Sequence, residues 1–190
     1  MSEDIIEGKL FEHLNYTKAR LPEAIYDNCT FEDCNFGGSD LSGCRFMECR
    51  FINCDLAMAR LGGTVINDVS FTSCKLLGLK FSDCSQLLFT VTFDRCNLNL
   101  ASFYGMKLKG IPFTDCSMQE ADFADADMSG VLFDRCDLER AIFDNTNLEI
   151  ADFRTASNYT IDPDRNRLRK ARFSLAGITG LLGKWDIEVE

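Results

Sequence analysis

Counting in fives from Phe31, the chain is apolar at every step: Phe31, Phe36, Leu41, Phe46, Phe51, Leu56, Leu61, Ile66, Phe71, Leu76 and Phe81. A second run starts at Phe93 and continues through Leu98, Phe103, Leu108, Phe113, Met118, Phe123, Met128, Phe133, Leu138, Phe143 and Leu148 to Phe153. Neither a 3.6-residue helix nor a two-residue strand alternation returns every fifth side chain to one side. The period therefore describes a coil with flat sides. Two residues before each large apolar position stands a small one, for example Cys29, Cys34, Ser39, Cys44, Cys49 and Cys54, then Cys96, Ala101, Cys116, Ala121 and Ala126. Both classes are expected to face inward. The two runs are out of step by two residues, which places an insertion near Ser85, Gln86 and Leu87.

The short phrases Ala121-Asp122-Phe123-Ala124-Asp125, Cys136-Asp137-Leu138-Glu139-Arg140 and Ala151-Asp152-Phe153-Arg154-Thr155 follow the pattern A(D/N)LXX. Through them the chain resembles the pentapeptide-repeat family over residues 29–155, and Ile6, Phe11, Tyr16, Leu21 and Tyr26 keep the register further back. The resemblance implies an all-β fold, a right-handed quadrilateral β-helix with five residues per side and twenty per turn. Residues twenty apart then stack at about the 4.8 Å spacing of strands. The phrases FDRCNL, FTDCSM and FDRCDL, beginning at Phe93, Phe113 and Phe133, become neighbours in space. Cys34, Cys54 and Cys74, and past the insertion Cys96, Cys116 and Cys136, form one inner column. Buried thiols pack as small hydrophobes, and a rise of about 4.8 Å exceeds the Cβ separation that disulfides prefer.

Chemistry is bounded by what is missing. His13 is the single histidine, and no two cysteines stand as CxxC, so no metal ligands, cofactor site or catalytic residues are expected, and the chain reads as a binding protein and not an enzyme. A rod filled with Phe, Leu and Cys leaves no interior cavity for substrate. The acidic start MSEDIIEGKLFEH carries no secretory signal, and no run of eighteen apolar residues occurs, so the expectation is a cytoplasmic protein that does not enter the membrane.

Net charge is −10, and residues 113–155 contribute eleven acids against three arginines. Asp122, Asp127, Asp137 and Asp152, like Asn147, fall on the Asp/Asn position of the repeat. Asp115 is expected to pair with Arg95 and Arg135, and Glu120 with Arg140. Asp125, Asp134, Glu139, Asp144 and Glu149 stand at freely variable outward positions and form the expected partner-binding acidic surface. Duplex DNA carries one charge per roughly 1.7 Å, a density that this segment approaches, so the rod suits a cationic groove built for DNA and disfavours binding nucleic acid directly.

Beyond Phe153 the period stops, and the chain divides into a β-helix over 1–156 and a capping segment over 157–190. Leu175, Ile178 and Leu182 have helical spacing, with Leu181 beside them, while Trp185, Ile187 and Val189 alternate with acids. An α-helix followed by a short strand is predicted. Arg165, Arg167, Arg169, Lys170 and Arg172 read as a solvated linker face. The arrangement is similar to the quinolone-resistance (Qnr-type) and microcin-immunity members of the family, whose C-terminal ends join two rods. That similarity implies a homodimer, with Phe173, Leu175, Ile178, Leu181, Leu182, Trp185 and Ile187 as interface positions. It also implies a type II topoisomerase partner, DNA gyrase or topoisomerase IV, protected from quinolones or toxins or inhibited by occupancy. The chain lacks the long loops of the Qnr-type members. The alternative is a structural or protein-interaction module with an unrelated partner.

Overall fold

A flat side of five residues leaves room for strands of three residues, or four beside the insertion, before the chain turns the corner. In the computed structural model, which describes residues 4–185 and residue 187, strands recur on two adjoining sides. One side is the parallel sheet β1 (Ile5–Glu7), β3 (Ile25–Asp27), β5 (Arg45–Met47) and β7 (Val65–Asn67). The next holds β2 (Leu10–Glu12), β4 (Thr30–Glu32), β6 (Arg50–Ile52), β8 (Val69–Thr72), β9 (Val91–Asp94), β10 (Pro112–Thr114) and β11 (Leu132–Asp134), again all parallel. Single bridges such as Asn35↔Asp55, Asp55↔Lys75 and Asp40↔Arg60 hold the other sides. The register is twenty residues, as Phe11↔Phe31 and Phe113↔Phe133 show, so the chain is the β-helix that its period implies.

Each corner needs one residue in the left-handed region, which Gly, Asn and Asp enter most cheaply. Asn28 (φ 49°), Asp33 (φ 52°), Asn53 (φ 52°) and Gly43 (φ 77°) occupy it. The Asp/Asn position of the repeat supports the same corner from its side chain. Asp55 Oδ1 accepts from the Ala57 N–H at 2.9 Å, Asp122 Oδ1 from Ala124 at 3.0 Å and Asp127 Oδ1 from Ser129 at 3.1 Å. These carboxylates are spent on the fold.

Inside, one column of rings runs Phe11, Phe31, Phe51, Phe71, Phe93, Phe113, Phe133, Phe153 and Phe173, each stacked on the last, as with 4.7 Å between Phe31 and Phe51. A second column, Phe81, Phe103, Phe123 and Phe143, meets the first edge-on, with 5.9 Å and 81° between Phe103 and Phe113. Burying each such side chain contributes on the order of 1.5–3 kcal/mol. All ten cysteines are buried free thiols. Cys54 Sγ reaches the carbonyls of Phe31 and Ile52, both at 3.3 Å, and Thr146 takes the same inner position with Oγ1 donating to Phe123 O at 2.9 Å. The position thus selects a small side chain, and where that side chain carries a donor it reaches a backbone carbonyl.

The insertion lies where the broken period puts it. Phe71 pairs with Phe93, a step of twenty-two, and Gln86, Leu87 and Leu88 project between the Val65↔Ser85 bridge and buried Phe89. Thr90 Oγ1 closes the gap, accepting from Asp68 N at 2.8 Å and donating to Asn67 Oδ1 at 3.0 Å.

At the C-terminal end three expectations change. The ladder does not stop at residue 156: Asn147 bridges Arg167, and Asp152 bridges Arg172, so the arginines of the supposed linker are rungs of a further coil. Asn158 (φ 59°) leaves the regular path, which hides this coil from a count in fives, although Leu168 and Phe173 resume the step of twenty from Leu148 and Phe153. In place of an α-helix stand 3-10 turns at Ala176–Leu181 and Gly183–Trp185. A Cβ at Gly177 would fall 2.1 Å from Tyr159 Oη and one at Gly180 2.3 Å from Tyr159 O, so both glycines lie against Tyr159. A 3-10 turn aligns positions three apart, whereas an α-helix would rotate one of them off the ring. Of the predicted strand, Trp185 ends a 3-10 turn, and Asp186, Glu188, Val189 and Glu190 lie outside the described residues.

Burial pushes the Cys44 thiol up to about 11 and those of Cys49 and Cys84 up to about 12, against an ordinary value of 9.0. Above pH 9 the unfolded chain loses thiol protons that the folded chain keeps, so stability falls as pH rises from about 9 toward 12. Thermal melts between neutral pH and pH 10.5 should show that decline, flattened in Cys49→Ala, and Ellman's reagent should label the cysteines only in denaturant. Gly180→Ala should lift the last turn off Tyr159, costing about 1–3 kcal/mol, read as a lower melting temperature with red-shifted emission from Trp185.

Candidate partner-binding surface

Residues five apart fall on successive sides of the rod, so Asp134, Glu139, Asp144 and Glu149 form a ring around one coil, one on each side. A partner lying along one side meets only a single member. Asp125 stands at the corner one coil below Asn145, near Asp144, and this is the only pair of the expected set that the fold brings close.

Four of the five are also engaged. Arg135 bridges Asp115, through Nε at 2.6 Å and Nη2 at 2.8 Å, and Asp134, through Nη1 at 2.7 Å. Thr155 Oγ1 adds a bond to Asp134 at 3.0 Å. Arg165 reaches Asp144 at 2.6 Å and Arg169 reaches Glu149 at 3.3 Å. Asn145 Nδ2 donates to Asp125 Oδ1 at 2.7 Å, and with the Tyr104 hydroxyl it holds that carboxyl below its usual range. Three of the five, Asp134, Asp144 and Glu149, are thus paired with arginines, the last two with arginines beyond residue 156 that lie in the next coil. The pairs Asp115–Arg135 and Glu120–Arg140 form as expected, whereas Arg95 closes on Asp94 at 2.8 Å. Such exposed pairs contribute at most about 1 kcal/mol each. Glu139 alone has no side-chain partner among the described residues.

A different set of carboxylates stands open. Glu7 pairs in register with Asp27, and Glu12 with Glu32, on the two adjoining sheets. Glu48 and Asp68 follow at the corner between those sheets, with φ of 52° and 53°. None of the six forms an ion pair among the described residues, and neither does Lys9 or Arg50 nearby. Like charges directly opposite on parallel strands destabilise the pairing. Segment totals hid this set, since residues 1–112 hold fourteen acids and eleven bases. Sorting the acids by steps of twenty would have found it.

The expected interface residues divide in two. Phe173 is core, stacked 5.2 Å above Phe153, and Leu181 also packs on the core. Leu182 is half-buried. Leu175 is 91% exposed, and Ile178, Trp185 and Ile187 are about half exposed, which leaves an apolar set uncovered in the single chain. Among the described residues no helix is long and apolar enough to cross a membrane.

Comparison with known proteins agrees with this architecture. The solved structure of HetL, from the cyanobacterium Nostoc sp. strain PCC 7120 and described as a pentapeptide repeat protein involved in heterocyst differentiation regulation, is 16% identical. The match covers 91% of this chain and 87% of that one, with a TM-score of 0.64. Full-length QnrB1, a plasmid-mediated fluoroquinolone resistance protein, is 19% identical over 96% of this chain and 100% of that chain, with a TM-score of 0.43. A search of curated proteins finds no match. The family model for the pentapeptide repeat region matches residues 44–123, and that for pentapeptide repeats (8 copies) matches residues 121–157. Together these span more than half of the sequence, over the very coils whose five-residue sides build the rod, and the chain belongs to the pentapeptide-repeat family.

Proposed function

We propose that this chain is a protein-binding rod whose anionic wall enters a cationic groove as duplex DNA would, with a type II topoisomerase, DNA gyrase or topoisomerase IV, as its partner. The carrying observation is the open carboxylate set Glu7, Glu12, Asp27, Glu32, Glu48 and Asp68, held in register on adjoining sides at a cost to the fold. The six charges span four coils, three steps of about 4.8 Å, over which a duplex carries about eight. The target is taken from the Qnr-type members of the family. Binding there competes with DNA, and the outcome for the enzyme is protection from a quinolone or toxin, or inhibition.

The neutralisation of Asp134, Asp144 and Glu149 favours a second reading, an interaction module for an unrelated protein, because it removes charge from the half of the rod that was expected to carry it. In either reading, a second copy covers Leu175, Ile178, Trp185 and Ile187, so that two rods join at their C-terminal ends.

Supercoiling and cleavage assays with purified gyrase, with and without a fluoroquinolone, should change on adding the protein. The quadruple variant Glu7→Gln, Glu12→Gln, Asp27→Asn, Glu32→Gln should lose about tenfold or more in potency while melting no lower than the parent. No effect on either assay at protein well above enzyme concentration would favour the second reading. Light scattering should give a dimer, converted to monomer by Leu175→Asp; a monomeric parent at micromolar concentration would remove the proposed interface.

A further inference from the structure

Glu139 is open for a reason that lies in the path of the chain. In its column the residue one coil above would be Tyr159, but the chain turns at Asn158 (φ 59°), and Tyr159 goes inward to lie 5.3 Å from Phe153 and 5.8 Å from Phe173. The ladder on this side runs as far as Leu138 N to Ser157 O, at 3.0 Å, and the chain returns only where Ile161 N meets Gly180 O at 2.9 Å. The missing rung leaves a cavity of about 720 Å³ between residues 156–160 and the turn at 174–180, with Glu139 in its wall. That volume lies in the range of small-ligand sites.

The polar groups of the cavity are unevenly spent. Ser157 Oγ donates to Cys136 O at 3.4 Å, Thr179 Oγ1 donates to Ala176 O at 3.4 Å, and Ser174 Oγ accepts from Gly177 N at 3.0 Å. Asn158 Nδ2 donates to Asp137 Oδ1 at 2.8 Å, which leaves its Oδ1 as an acceptor. The Tyr159 hydroxyl, on a side chain 4% exposed and against Gly177, has no partner, although buried polar groups are ordinarily paired. That oxygen is sealed behind Gly177, so what faces the cavity is one carboxylate, one amide oxygen and the exposed Thr160 hydroxyl, with no cation in the wall.

We infer that this cavity is a binding site for an alkylammonium or guanidinium group, seated on the Glu139 carboxylate with the Asn158 amide oxygen and the exposed Thr160 hydroxyl as further acceptors. The group comes either from a free polyamine or from a Lys or Arg side chain of a protein partner. The site stands apart from the proposed topoisomerase role, since the carboxylates that carry that role lie in the first four coils.

Calorimetric titration of the full chain with spermidine, and with the capped peptides Gly-Arg-Gly and Gly-Lys-Gly, tests the site. At least one probe should bind saturably. Glu139→Gln should weaken it by about tenfold or more, and Glu120→Gln, whose carboxylate already faces Arg140, should bind as the parent does. Spermidine alone binding identifies the free polyamine; a peptide binding identifies a partner's side chain. Failure of all three probes to saturate at millimolar concentration, or equal affinity in parent and Glu139→Gln, would overturn the site. Neither result alters the gyrase assays, so the two proposals fail separately.

Discussion

Backbone hydrogen bonds in this chain run from one coil to the next, and each straight segment can be satisfied only by the segment twenty residues away. Phe36 N meets Asp55 O at 2.6 Å and Phe103 N meets Asp122 O at 2.8 Å. Because the partners are parallel and in register, every side chain inherits the side of the residue below it. Identical types therefore stack, thirteen of the sixteen phenylalanines into two columns and six of the ten cysteines into another. The same inheritance constrains the surface, where like charges stack as readily as like rings.

The outer wall can be read in those terms. Where the residue one coil away is a base, an acid is neutralised, as with Asp115 below Arg135 and Glu149 below Arg169. Where it is another acid, as with Glu7 and Asp27, the charge stays open. Where the Asp occupies the position before the large apolar residue, its oxygen is taken by a backbone N–H at the corner. Net charge over a stretch of chain does not separate these fates; the side of the coil does.

The C-terminal end departs from the coil in a single place, and much follows from it. Tyr159 points inward after the turn at Asn158, caps the ring column beside Phe173, and draws Gly177 and Gly180 against itself. The same displacement removes the rung above Glu139 and opens the cavity beside it.

How much of this was legible in the chain divides along a physical line. The period of five, the small residues two before each apolar one, and the two-residue slip were sufficient for the coil, its register and its core, because those depend on repetition alone and repetition is local in sequence. The extra coil carrying Arg167 and Arg172 was obscured, since Asn158 and Pro163 interrupt the apolar steps without shifting the register, which Leu168 and Phe173 then resume. The 3-10 turns in place of an α-helix depended on a backbone approach to Tyr159, which no spacing of Leu175, Ile178 and Leu182 encodes. Which acids remain open was likewise decided only by stacking, because a carboxylate's partner stands one coil away in space and twenty residues away in sequence.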